Sequence, residues 1–121
     1  MAKKVLIIDD YPATVKMMTE ILQLKGYEIV AAYDGASGLL KARSEKPDLI
    51  LLDIMMPEKS GFEVCRELKS DAATSGIPVI IVTIRVSEDS IRNGKSLGAA
   101  EYITKPFEPF RLLEAVEKHI G

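Results

Sequence analysis

The sequence of 121 residues contains a single cysteine, Cys65, so no disulfide can form within the chain. Chains without disulfides are typical of reducing compartments, and we therefore expect this protein in the cytoplasm. The length suits one sizeable hydrophobic core and leaves little room for a second, which predicts one domain over residues 1–121.

The sequence also lacks an excess of charge and any long apolar run. The formal net charge of −2 predicts neither a nucleic-acid-binding nor a membrane-binding surface. The apolar runs are far too short to span a bilayer. The first run stops at Asp9, so the basic N-terminus is followed by too short an apolar segment for a signal peptide.

Five short apolar runs are present, and each is typical of a strand. The third, residues 49–52, is purely aliphatic, is flanked by Pro47 and Pro57, and leads directly into Asp53. Such a run predicts a central strand that is buried on both faces of a parallel sheet. The predicted strands cover residues 5–8, 28–33, 49–52, 79–82 and 100–103.

Helical patterns lie between the apolar runs. The first predicted helix begins at Pro12 and closes at Gly26, whereas the second ends before Pro47. A capping box, Ser60 to Glu63, opens the third helix. The last two helices are predicted over residues 87–97 and 107–120.

The alternation of strands and helices predicts an α/β fold with a parallel sheet covered on both faces. For five strands and five helices, the common doubly wound, flavodoxin-like order is 2-1-3-4-5. Strands one, three, four and five are then contiguous, and ligands bind beyond their carboxyl ends. Five polar residues follow these strands and should converge on one edge: Asp9, Asp10, Asp53, Thr83 and Lys105.

Three carboxylates at one edge repel one another. At an effective dielectric near 20 and a separation of about 4 to 5 Å, each pair costs roughly 3 to 4 kcal/mol. A hard divalent cation offsets this repulsion, and carboxylates with a backbone carbonyl and water suit Mg²⁺. Alternatively, the acids are separate helix caps and Lys105 neutralises one of them, although a cap does not require an adjacent acid pair.

These residues stand in segments that resemble the receiver domains of response regulators, of the single-domain chemotaxis or relay type. Each segment alone is weak, but their order and spacing are specific and cover essentially the whole chain. The matching segments are Ile7-Ile8-Asp9-Asp10, Asp53-Ile54-Met55-Met56-Pro57 followed by Ser60-Gly61, Thr83, and Gly98-Ala99-Ala100-Glu101-Tyr102-Ile103-Thr104-Lys105-Pro106-Phe107.

The resemblance implies a two-component signalling switch rather than an enzyme, although the chain would assist its own phosphorylation and dephosphorylation. Asp53 would accept a phosphoryl group from a sensor histidine kinase or phosphotransfer protein. Asp10 would bind Mg²⁺ directly, Asp9 would bind it mainly through water, and the backbone carbonyl of Met55 would be a further ligand. Lys105 would pair with Asp53 beforehand and then contact the phosphoryl oxygens.

The resemblance also implies a conformational switch. Thr83 would hydrogen-bond the phosphoryl group, Tyr102 would change rotamer with it, and the face formed by helix four, strand five and helix five would bind a downstream protein. A cis bond between Lys105 and Pro106 would aim the lysine into the site. We expect a monomer or weak dimer. Without the resemblance, Tyr102 is simply a strand residue with an exposed hydroxyl.

Two positions depart from the family pattern. Ile84 follows Thr83, where relatives usually have alanine or glycine, and Tyr11 is bulkier than many relatives carry. A β-branched side chain at the mouth of the site is stiff, so Ile84 is expected to act as an access gate. Alternatively, Ile84 tilts outward and belongs to the partner surface.

Other functions fit the residues less well. A magnesium-dependent phosphohydrolase of related fold needs Asp-x-Asp after its first strand, whereas this chain has adjacent acids, Asp9 and Asp10. A flavin carrier needs a phosphate-binding loop there, and the same acids repel phosphate without a metal. A receiver used only as an unphosphorylated docking module does not need the full set of acids, threonine and lysine.

The remaining chemically distinctive side chains have ordinary explanations. We expect Met17, Met18 and Met56 to fill the core, Cys65 to be inert, and His119 to be a helix-end residue without a catalytic role. No predicted output segment follows residue 121, so we expect output through a partner unless the chain is part of a longer regulator.

Overall fold

The computed structural model describes residues 2–121, which form five strands and five helices in strict alternation. The strands are β1 (Lys4–Ile8), β2 (Glu28–Ala32), β3 (Leu49–Leu52), β4 (Val79–Thr83) and β5 (Glu101–Thr104). The helices are α1 (Pro12–Gln23), α2 (Gly35–Glu45), α3 (Gly61–Ser70), α4 (Glu88–Ser96) and α5 (Pro109–Ile120).

All five strands are parallel, in the order β2-β1-β3-β4-β5, so the predicted doubly wound α/β fold is confirmed. Ile8 pairs with Leu52 at the carboxyl ends of β1 and β3, and Thr83 pairs with Thr104 at those of β4 and β5. The residues that follow these strands therefore reach the same edge of the sheet.

The hydrophobic core lies in two layers, one on each face of the sheet. Successive strand residues point to opposite faces. Val5 and Ile7 of β1 pack with buried residues of α1 and α5, whereas Leu6 and Ile8 pack with those of α2 and α3. Burying each such side chain contributes about 1.5–3 kcal/mol, which makes the two central strands a rigid support.

The helix ends follow their sequence signals. Gly26 has a φ of +83°, the left-handed conformation that a glycine after a helix adopts without a Cβ penalty. The capping box is present, since the Ser60 hydroxyl accepts from the Glu63 N–H and the Glu63 carboxylate accepts from the Ser60 N–H. The capping box satisfies amides at the start of α3 that would otherwise lack partners.

Some details of the sequence prediction were wrong. Helix α5 begins at Pro109 rather than residue 107, because Glu108 is extended and proline occupies the first helical turn. Strand β2 ends at Ala32 and β5 begins at Glu101. Met18 and Met56 are buried as expected, but Met17 is 45% exposed because adjacent helical residues point in different directions.

Cys65 is fully buried on α3, and burial raises the pKa of its thiol. Within residues 2–121, none of the helices combines the length and the apolar character that crossing a bilayer requires.

Candidate functional site

The sheet itself positions the two acids that follow its central strands. Asp9 succeeds the last residue of β1 and donates its N–H to the Ala32 carbonyl at 3.1 Å. Asp53 succeeds β3 and donates its N–H to the Ile8 carbonyl at 3.0 Å. Both acids thus continue the hydrogen-bond ladder beyond the strands, and their backbones are as fixed as the sheet.

Three acids meet at this edge. Asp9, Asp10 and Asp53 each place a carboxylate oxygen so that the three lie within 4.8 Å of one another. Asp9 is 1% exposed and Asp53 is 7% exposed, whereas Asp10 is half-buried. The convergence that the strand order predicted is therefore present.

Lys105 joins the site from the end of β5. Its Nζ lies 2.8 Å from Asp9 Oδ2 and 3.3 Å from Asp53 Oδ2. Its N–H donates to the Thr83 carbonyl at 2.8 Å, and its peptide bond to Pro106 is cis, the configuration that the resemblance implied. The ammonium group bridges two acids and lies closer to Asp9 than to Asp53.

The Asp9 carboxyl has a raised pKa. Burial is the main cause, and the nearby charge of Asp53 acts in the same direction. The hydrogen bonds from Lys105 and from the Tyr11 N–H, the latter at 2.9 Å, oppose the rise. The ionised form of Asp9 therefore remains destabilised by burial even though Lys105 pairs with it.

Each carboxylate oxygen of Asp53 accepts a hydrogen bond from a different donor. Its Oδ1 accepts from the Met55 N–H at 3.0 Å, and its Oδ2 accepts from Lys105. Helix α3 presses against the same loop, because a Cβ on Gly61 would lie 2.3 Å from the Asp53 carbonyl oxygen. Only glycine permits this approach, and the Gly61 N–H donates to the Ile54 carbonyl at 3.1 Å.

Thr83 and Tyr102 both form hydrogen bonds with Arg85, which lies in the loop that follows β4. Thr83 is fully buried, and its Oγ1 accepts from the Arg85 N–H at 3.4 Å. The Tyr102 hydroxyl donates to the Arg85 carbonyl at 2.7 Å, while its ring packs against a small core cluster that includes Ile81. Burial raises the pKa of Tyr102, whose hydroxyl is protonated at neutral pH even at the ordinary pKa of a tyrosine.

A cavity of about 390 Å³ opens above the acids. Its polar floor includes Asp53, Asp10 and Lys105, whereas large apolar or aromatic side chains form the rim. Ile84 is 61% exposed and Tyr11 is 69% exposed, so both stand at the mouth. The lining residues are Asp10, Tyr11, Thr14, Asp53, Met55, Ile84 and Lys105.

The donor set of this site fits a hard divalent cation. Three carboxylates offer oxygen ligands at close range, and a cation offsets the mutual repulsion that Lys105 only partly relieves. The half-buried Asp10 faces the cavity, which is large enough for a metal ion with water. An Asp53 oxygen is close enough to share such an ion.

This fold and site define a class of protein. The family model for the response regulator receiver domain matches residues 5–117, so the chain belongs to that family, which serves two-component systems. Receiver domains act as phosphoacceptor switches, bind Mg²⁺ and interact with histidine kinases or phosphotransfer proteins.

Individual relatives agree with this assignment. Protein PilH of Pseudomonas aeruginosa is 42% identical over 113 residues, which are 93% of this chain and 93% of PilH. The chemotaxis protein CheY4 of Vibrio cholerae superposes with a TM-score of 0.93 at 32% identity, covering 99% of this chain and 100% of CheY4.

Other relatives are longer. The alkaline phosphatase synthesis transcriptional regulatory protein PhoP of Bacillus subtilis is 40% identical over 90% of this chain, but the chain spans only 45% of PhoP.

Several contacts were not foreseen from the sequence. Tyr102 donates to the Arg85 carbonyl, which is a backbone group and so has no sequence signature. Thr14 on α1 lines the cavity without belonging to any quoted motif. Lys105 also pairs with Asp9, and more closely than with Asp53, the partner that the resemblance implied, because both acids lie within reach of one flexible ammonium group.

Proposed function

We propose that this chain is a phosphoacceptor switch in which Asp53 takes a phosphoryl group from a phosphohistidine of a sensor histidine kinase or phosphotransfer protein. The observation that carries the proposal is the setting of Asp53. It stands on the floor of an open cavity, with one oxygen on the Met55 N–H and the other on Lys105. An anchored carboxylate beside a cation suits in-line attack on phosphorus.

The transfer exchanges one bond for another. An Asp53 oxygen forms a bond to phosphorus while the bond from phosphorus to the donor imidazole nitrogen breaks, and that nitrogen keeps the electron pair. Lys105, which contacts both Asp9 and Asp53 beforehand, then neutralises a phosphoryl oxygen. The Thr83 hydroxyl donates to another phosphoryl oxygen after it approaches Asp53.

Magnesium would be held by Asp10 and Asp53 directly, by Asp9 mainly through water, and by the backbone carbonyl of Met55. When bound, it neutralises charge on the acids and on the incoming phosphate. The catalytic contribution of this chain is limited to assisting its own phosphorylation and dephosphorylation.

Phosphotransfer to purified protein tests this assignment. Incubation with acetyl phosphate and Mg²⁺ should increase the mass of the wild-type chain by one phosphoryl group. Asp53→Asn should abolish the increase, and Asp71→Asn, on an acid outside the cavity, should retain it. Equal phosphorylation of the Asp53→Asn variant would reject Asp53 as the acceptor. A profile against candidate histidine kinases then identifies the donor.

The proposed output surface is formed by α4, β5 and α5. Movement of Thr83 toward the phosphate alters the space beside Tyr102, whose hydroxyl bonds to the loop between β4 and α4. A downstream protein that binds this face would then distinguish the two states, and the chain would act as a monomer or weak dimer. Charge-assisted hydrogen bonds to the phosphoryl group supply part of the energy.

Amide chemical shifts test the switch. Addition of a beryllofluoride phosphate mimic should shift resonances throughout residues 83–110. Shifts confined to the immediate neighbours of Asp9, Asp10 and Asp53 would contradict the switch and leave only binding.

The last element of the proposal is that Ile84 limits access to Asp53. Ile84 lines the cavity and is largely exposed at its mouth. Ile84→Ala should accelerate both phosphorylation by acetyl phosphate and spontaneous dephosphorylation severalfold. Unchanged rates with weaker binding of a kinase or partner would instead make Ile84 a contact residue.

A further inference from the structure

We infer that the Tyr102 hydroxyl is a positioning group for Ile84: by holding the Arg85 carbonyl, it keeps the Ile84 side chain over the mouth of the phosphoacceptor cavity. This inference rests on the proposed access gate and adds to it a residue that controls the gate. It assigns to Tyr102 a role in the rates of phosphoryl gain and loss, separate from its role at the output surface.

The first step is the weak local support of the segment that carries Ile84. Residues 84–86 lie between the end of β4 and the Ser87 cap of α4. Within residues 2–121, the hydrogen bonds of this segment are the two on Arg85. The bond from its N–H to Thr83 is long, at 3.4 Å, so the 2.7 Å bond from Tyr102 is the stronger restraint.

The second step is the rigidity of the group that supplies the restraint. Tyr102 stands on β5, where it pairs with Ile81 of β4. Its ring packs close beneath α4, because a Cβ on Gly94 would lie only 3.3 Å from Tyr102 Cδ2. The strand and the helix thus fix the ring, and the hydroxyl reaches the loop from a fixed position.

The third step connects the backbone to the side chain. Thr83 is anchored in the sheet, and its carbonyl accepts from the Lys105 N–H at 2.8 Å. Ile84 therefore spans two anchored neighbours, Thr83 and Arg85. Because a β-branched side chain has few rotamers, fixing the backbone of Ile84 also fixes where its side chain stands. Loss of the Tyr102 hydroxyl frees one of the two anchors.

A functional consequence follows for the output surface. A partner that binds β5 and draws the Tyr102 hydroxyl away from Arg85 releases Ile84, which opens the cavity to water. Such a partner shortens the lifetime of the phosphorylated state, whereas one that holds Tyr102 in place prolongs it. The hydrogen bond from Tyr102 to Arg85 would then affect both access to Asp53 and the output surface.

A double-mutant cycle tests the inference. Tyr102→Phe removes the hydroxyl and keeps the ring, Ile84→Ala removes the gate, and the double variant combines them. Rates of phosphorylation by acetyl phosphate and of spontaneous dephosphorylation are measured for wild type and these three variants. Tyr27→Phe is the matched control, because Tyr27 immediately precedes β2 at the opposite edge of the sheet.

Tyr102→Phe should raise both rates severalfold in the wild-type background and leave them unchanged when alanine replaces Ile84. Tyr27→Phe should leave them unchanged in either background. An equal effect of Tyr102→Phe in both backgrounds, or no effect in the wild-type background, overturns the inference.

A second measurement separates this inference from the gate itself. The methyl order parameter of Ile84, measured by NMR relaxation, should fall in Tyr102→Phe and stay unchanged in Tyr27→Phe. If Ile84→Ala leaves both rates unchanged, the gate is rejected. If Ile84→Ala raises the rates but Tyr102→Phe leaves the order parameter of Ile84 unchanged, the gate stands and the positioning role of Tyr102 is rejected.

Discussion

Because three acids crowd one edge of the sheet, we expect Asp10→Asn to be more stable than wild type without metal and less stable than wild type when Mg²⁺ is added. The three carboxylates have oxygens within 4.8 Å of one another. At that distance and an effective dielectric near 20, each like-charge pair costs about 3.5 kcal/mol. In the described chain, Asp10 is the one of the three without an ion pair to Lys105, so its charge opposes two others.

Partial exposure of Asp10 screens this repulsion, so we expect the metal-free variant to be more stable than wild type by roughly 1–2 kcal/mol. For a chain of this size, that difference raises the melting temperature by roughly 4–8 °C. With Mg²⁺ at 100 times its dissociation constant, wild type gains about 2.7 kcal/mol by mass action. Asp10→Asn should gain little, so the order of stability inverts.

Thermal unfolding in EDTA and in a Mg²⁺ titration measures both effects. Asp89→Asn is the matched control, because Asp89 is a solvent-exposed acid on α4 that pairs with Arg92. It should change stability little and respond to Mg²⁺ as wild type does. A variant Asp10→Asn that is less stable than wild type in EDTA would refute the repulsion argument. An undiminished response to Mg²⁺ would place the metal elsewhere.

Two further predictions concern Gly61, which packs against the site, and Glu101, which binds side chains of α5. Gly61→Ala should destabilise by about 3 kcal/mol and slow phosphorylation of Asp53, because its Cβ would collide with backbone; Gly76→Ala, whose Cβ meets open space, should do neither in the same assays. Burial opposes ionisation of Glu101, but hydrogen bonds from α5, chiefly from His119, lower its pKa below 4.5. Its ionised form therefore stabilises the fold above that value, so Glu101→Gln should be less stable by about 1 kcal/mol near pH 7. The deficit should disappear on acidification below the lowered pKa, and a deficit that persists there in pH-dependent unfolding would contradict the ion-pair explanation.

The sequence predicted the strand order and the edge at which the acids meet, because both depend on coarse rules. Alternating strands and helices leave few topologies, and the carboxyl ends of adjacent parallel strands necessarily meet. Asp9 and Asp53 could therefore be brought together from their positions after two apolar runs. The same reasoning brought Lys105 to the edge from the end of the fifth run.

Details set by tenths of an ångström, or by backbone atoms, could not be predicted in this way. Whether Lys105 lies nearer to Asp9 or to Asp53 depends on the exact reach of a flexible side chain. The Arg85 carbonyl belongs to the backbone, so no residue type marks it as the acceptor for Tyr102. The exposure of Met17, by contrast, was predictable, because helical spacing places Met18 with Val15 and Leu22 on the buried face of α1 and leaves Met17 off it.

The ion pair between Lys105 and Asp9 also ties together distant parts of the chain, since 96 positions separate the two residues. They come from β1 and β5, which are not neighbours but are separated in the sheet by β3 and β4. The pair therefore spans the two intervening strands, and contacts between residues so far apart in sequence slow the folding of a domain. During synthesis, Asp53 emerges long before Lys105, so an unfinished chain has the acids of the site without the lysine that pairs with two of them. The charge balance of the acidic site is thus reached only when the fold is complete.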